Sequence, residues 1–110
     1  MRDGMPRWSV LLAALCAGTV PAAEPAPAPS RQAELLHLLR HDCGSCHGLT
    51  LRGGLGPPLL PQTLARKDLA TLHATVLYGV PGTAMPPWNE LLSAREIEWL
   101  VGQLKHGIAP

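Results

Sequence analysis

Apolar and polar positions follow a helical period in three stretches of the chain. In the first, Leu35, Leu36, Leu38 and Leu39 give an apolar side to a polar run, and Ser30 stands where an N-cap belongs. A helix is predicted over 31–42. In the second, Leu69, Leu72, Val76 and Leu77 fall at i, i+3, i+7 and i+8, and Gly79 supplies a left-handed stop. The helix predicted there spans 68–78. In the third, Ser93 and Glu96 have the spacing of a capping box, with Leu92 and Ile97 placed as a hydrophobic staple. Ile97, Leu100, Val101 and Leu104 then form one buried stripe, which Gly107 ends. These three main helices are the regular elements expected, which puts the fold class as all-α.

Between the first two helices, residues 48–65 are punctuated by Gly53, Gly54, Gly56, Pro57, Pro58 and Pro61. Eighteen residues without regular structure are long for a small domain unless the loop has something to wrap. The N-terminal end reads as an export signal over 1–22. Arg2 and Arg7 precede an apolar run from Trp8 to Leu15, which fades into Val20-Pro21-Ala22, a small-residue cleavage context. That run is too short to span a bilayer, which takes about 20 residues per helix. Residues 23–30 are rich in Ala and Pro and are expected to be a disordered linker; the folded domain is expected over 31–110.

Size sharpens the picture. A domain of roughly 80 residues holds little core unless something staples it, and this chain has no Phe and one Tyr. With residues 1–22 removed, seven basic and seven acidic residues remain, so the net formal charge is zero. No basic patch points to nucleic acid, and no membrane span is expected once the signal is gone. Export of this kind implies a bacterial periplasm, an oxidising space.

The chemistry sits in Cys43-Gly44-Ser45-Cys46-His47. A bare Cys-x-x-Cys serves thiol oxidoreductases and zinc sites too, but a zinc ribbon needs a second ligand pair, and the only other cysteine is Cys16, in the leader. The adjoining His47 turns the motif into one for covalent haem c: Cys43 and Cys46 as thioethers and His47 as an axial iron ligand. For the second axial position the chain offers Met85, its one methionine outside the leader, held between Pro81 and Pro86-Pro87 where no helix can form. His37 and His41 stand four apart on the first helix and read as solvent-exposed, as does His73, in part, on the second.

Cys-x-x-Cys-His, then Gly56-Pro57-Pro58-Leu59, then Met85-Pro86 ahead of a C-terminal helix resembles a small class I cytochrome c over 31–106. The resemblance implies helices and loops wrapped around one haem, with the Pro57 carbonyl accepting the second ring proton of His47. Trp88 becomes a candidate for packing at the haem edge. Arg52 is either a propionate partner or an ordinary solvated arginine. The chain departs from the family where its first and last helices usually cross on two aromatics, since Leu39 and Gln103 hold those positions. Trp99 is off the main stripe, and Gly102 is the candidate for letting the two backbones approach. A loose crossing keeps open an exchange dimer beside the expected monomer.

The longer runs CGSCHGLTLRGGLGPPLLP and GTAMPPW are similar to the small monohaem cytochromes associated with haem d1-containing nitrite reductase in denitrifying bacteria. The implied role is single-electron transfer to that reductase or to a haem d1 maturation protein, so not an enzyme; an accessory role in haem d1 assembly, a different redox partner and a thiol-disulfide activity are the alternatives. The loops 53–65 and 79–89 contain no charged residue. Docking is therefore expected through an apolar rim, with weak electrostatic steering.

Overall fold

The computed structural model describes residue 4, residues 18–21 and residues 24–108, so the expected leader falls almost wholly outside it. Among the described residues there are helices and no strands: α1 (Pro29–Leu38), a π-helical turn (Leu39–Cys43), α2 (Gly44–His47), α3 (Pro61–Leu64), α4 (Leu69–Tyr78) and α5 (Ala94–His106). No described helix is long and apolar enough to cross a membrane.

The first helix departs from expectation at both ends. It begins on Pro29, with Ala28 rather than Ser30 at the cap and no side-chain cap bond. Proline at the first helical position has its φ already set and no N–H to leave unpaired, so the start falls on it and Ser30 lies inside the helix. Gln32 secures the entry, its backbone N–H donating to Ala28 O at 2.9 Å and its side-chain amide to Pro27 O at 2.8 Å. The helical path also does not stop at Asp42. It widens to a π turn, in which Gly44 N–H reaches Leu39 O, and continues through His47 until Gly48 (φ +91°) ends it. The extra residue resets the face presented to the core: Leu35, Leu39 and Gly44 go inward while Arg40, His41 and Asp42 face solvent.

The core is aliphatic. Leu35, Leu39, Ile97 and Val101 are fully buried, joined by Leu51, Leu64, Leu92, Leu100 and Leu104. All four stripe residues predicted for the last helix are in it, and so is Leu92 of the staple. The capping box is complete, with Glu96 N–H donating to Ser93 Oγ at 3.2 Å and Ser93 N–H to Glu96 Oε2 at 2.8 Å.

The α1–α5 crossing has no aromatic centre, and Gly102 is not what closes it: a Cβ built there meets nothing within 4 Å. Leu35 of α1 and Leu39 of the π turn are buried in one core cluster with Ile97 and Val101 of α5, and a charged clasp joins the N-terminal turns of α1 and α5. Arg31 Nε donates to Glu96 Oε1 at 2.6 Å and Arg31 Nη1 to Glu34 Oε2 at 2.7 Å. Glu96 therefore serves the α5 cap with one oxygen and α1 with the other, and the Arg31 guanidinium holds its carboxyl below the usual carboxylate range.

α4 begins where expected. The Asp68 side chain accepts Thr71 N–H at 2.6 Å, which lowers the Asp68 carboxyl, and Gly79 ends the helix with φ +67° and ψ −172°. That is extended backbone of positive φ, essentially open to glycine alone, rather than a left-handed turn. Lys105 of α5 ties down the end of α3, donating to Leu64 O at 3.2 Å and also to Lys67 O.

Candidate prosthetic-group site

The Cys-x-x-Cys-His motif occupies the end of the π turn and all of α2. A helix end leaves carbonyls without partners, and here the following loop supplies them. Gly53 N–H donates to His47 O at 2.8 Å, and Gly56 N–H to Cys46 O at 2.8 Å. The loop is drawn back over the helix end, with Leu51 buried at φ +58° and Leu59 N–H donating to Leu51 O at 2.9 Å. A non-glycine residue at that φ is strained; burial of the Leu51 side chain is what holds it there.

This fold-back places the Pro57 carbonyl 2.7 Å from His47 Nδ1. A carbonyl can only accept, so Nδ1 carries the ring proton and Nε2 is left with its lone pair, the state an imidazole needs to bind a metal. The ring lies on Gly56. A Cβ there would stand 2.7 Å from Cε1 and 2.8 Å from Nδ1 of His47. Sequence reasoning took Gly56 only as part of the motif; its steric role needed the fold.

Cys43 and Cys46 are free, half-buried thiols. Burial first, and Asp42 next to it, push the Cys43 thiol up to about 11. A thiol that stays protonated is a poor attacking nucleophile, which counts against thiol-disulfide activity, whereas a thioether sulfur does not titrate at all.

Met85 lies on a loop knotted at its base. Val80 N–H donates to Met85 O at 3.1 Å, Thr83 N–H to Val80 O at 3.1 Å, and Trp88 N–H to Val76 O at 3.0 Å, so the loop is closed back onto the end of α4. Gly79 is needed twice, for its φ and because a Cβ would stand 2.7 Å from Met85 O. Trp88 is half-buried and packs against the leucine core. Arg52 is exposed. His73 is half-buried on α4, its Nε2–H donating to Ala94 O at 2.8 Å, which joins α4 to the start of α5. The His37 and His41 rings are exposed, with centroids 4.2 Å apart. Among the described residues no three His, Cys, Asp or Glu side chains converge on a metal position.

The residues fit a haem. α4 is mostly apolar yet has no fully buried residue: Leu72, Val76 and Leu77 only half bury against the core, and Leu69 is exposed. Leu55 and Val80, from the uncharged loops on either side, are exposed as well. The polypeptide alone leaves these apolar surfaces short of cover, and the thiol pair, the oriented imidazole and the thioether are the donor set of a c-type haem.

Known proteins agree with this chemistry. The family model described as cytochrome c oxidase, cbb3-type, subunit III matches residues 30–102. Cytochrome c55X of Stutzerimonas stutzeri is 51% identical over 106 residues, covering 96% of this chain and 88% of that protein. The structure of the c-type cytochrome NirC is 58% identical with a TM-score of 0.72, covering 74% of this chain and 95% of that one. Dihydro-heme d1 dehydrogenase NirN, in complex with DHE, is 36% identical with a TM-score of 0.60, over 68% of this chain but 16% of its own. The chain therefore belongs to the cytochrome family of that model and, within it, to the cytochromes c55X: small all-α c-type cytochromes with covalently attached haem c, electron carriers rather than enzymes.

Proposed function

We propose that this cytochrome is a periplasmic, monomeric one-electron carrier of the nitrite reductase system, with His47 and Met85 as axial ligands and Cys43 and Cys46 as the thioether attachments. The single observation that carries the site assignment is the 2.7 Å contact from His47 Nδ1 to Pro57 O, which fixes the ring and its tautomer. When bound, the haem supplies a one-electron couple, and a thioether ligand favours its ferrous state. The chain's own residues do the rest. Pro57 and Gly56 hold the imidazole, and the closed base of the loop holds the thioether. Arg52 is the propionate candidate in this reading, and Trp88 the candidate for the haem edge. His47 and Met85 would together hold the iron, which would leave it no position for a substrate.

The partner assignment is supported by the likeness to NirC. The partial match to dihydro-heme d1 dehydrogenase favours a second reading, in which the electron serves haem d1 assembly. Deleting the gene separates them: loss of electron supply to a cofactor-loaded reductase fits the first, a reductase lacking haem d1 the second. For the ligand set, Met85→Ala is expected to retain covalent haem and to bind carbon monoxide in the ferrous state. A native protein that already binds carbon monoxide as readily would overturn the assignment.

A further inference from the structure

We infer that Thr83 is a positioning residue for Met85, its hydroxyl acting as the clasp that fixes where the thioether is presented; this rests on the ligand assignment proposed above. Thr83 Oγ1 donates to Val80 O at 2.7 Å and accepts Met85 N–H at 3.3 Å. A hydroxyl has one proton to give and lone pairs to receive, so both bonds form at once. Val80 N–H in turn donates to Met85 O at 3.1 Å. Val80 and Met85 are thus joined directly through backbone and a second time through the Thr83 side chain.

The local sequence makes this possible. Val80-Pro81-Gly82-Thr83 forms a tight turn closed by Thr83 N–H to Val80 O at 3.1 Å, with proline at its second position and Gly82 at φ +77° at its third. The turn sets Thr83 two residues before Met85. Gly82 is exposed, with nothing within 4 Å of a built Cβ, so neighbouring packing does not impose the turn's shape. Beyond the turn, Pro86 has no backbone N–H to give, and Met85 N–H and O are both spent on the clasp. An exposed loop held this way has few other constraints between Gly79 and Pro86, and the hydroxyl supplies two of its bonds.

A ligand loop that spends time unclasped presents its sulfur for a smaller fraction of the time, and an outside ligand competes in proportion. Thr83→Val keeps the branched shape and removes both bonds; Thr83→Ser keeps both. In the ferric holoprotein, imidazole is expected to bind Thr83→Val about fivefold more tightly than native, the scale of one net hydrogen bond. The long-wavelength absorption of the iron–thioether bond should weaken in parallel, and Thr83→Ser should restore both. If Thr83→Val keeps the native imidazole affinity and absorption, or if Thr83→Ser behaves like the valine variant, the inference is wrong. Failure of the underlying assignment looks different: the native protein itself would lack the thioether absorption, and Met85→Ala would leave the spectrum unchanged.

Discussion

Gly56→Ala is the sharpest test of the histidine cradle. Gly56 has no left-handed φ, so alanine is conformationally acceptable there and should stabilise slightly by restricting the unfolded chain, by about 0.4–1 kcal/mol. Against that, the new Cβ would lie 2.7 Å from His47 Cε1, about 0.8 Å inside the near edge of ordinary carbon contact. The ring cannot retreat freely, because a displacement of that size breaks its 2.7 Å bond to Pro57 O. Overpacking of this kind costs about 1–3 kcal/mol and the lost bond about 1 kcal/mol. The steric loss wins, leaving a net destabilisation of about 1–3 kcal/mol. For a domain of this size each kcal/mol moves the melting midpoint by about 4–8 °C. Thermal melting of the holoprotein followed by far-ultraviolet circular dichroism should therefore show a drop of at least about 4 °C, together with a shifted midpoint potential as the imidazole loses its second bond. A Gly56→Ala protein with native melting and native potential would refute both the cradle and the claim that Pro57 orients the ring.

Two further outcomes follow from other parts of the molecule. Gly102 lies inside α5 with open space where a Cβ would go, so Gly102→Ala should raise stability by about 0.8–1 kcal/mol through helix propensity alone, readable as a higher urea midpoint; a lowered midpoint would mean that something packs on that position after all. Glu96 has its folded-state pKa depressed below the ordinary value of about 4.3, so the stability it contributes is complete above that value and is lost as pH falls through the lower, folded one. Urea midpoints measured from pH 6 down to 3 should fall along this limb, and Glu96→Gln should flatten it. An unchanged acid limb in the variant would assign the acid loss to other carboxylates.

How much of this was legible in the sequence depends on whether the information was local. The α5 cap, its stripe and its stop all lie within or directly beside the helix, and each stands in the structure where the pattern put it. The α1 boundaries did not. Ser30 has the right side chain for a cap, but the rigid Pro29 before it decides the start, and the π turn that carries the path on to His47 is one extra residue that no periodicity of apolar positions announces. The contact between His47 and Pro57 was reached through resemblance, because nine residues of glycine-rich loop lie between them and no spacing rule closes such a loop. The Arg31–Glu96 clasp was invisible for a related reason, as it spans 65 residues and uses a glutamate whose local role was already accounted for by the cap. α4 shows the deepest reason for the gap. The spacing of Leu69, Leu72, Val76 and Leu77 marks an apolar face, yet the polypeptide alone fully buries none of it. Periodicity identifies a face that must be covered and says nothing of whether side chains or a prosthetic group will cover it; here only the chemistry of Cys43, Cys46 and His47 supplies the second half of that statement.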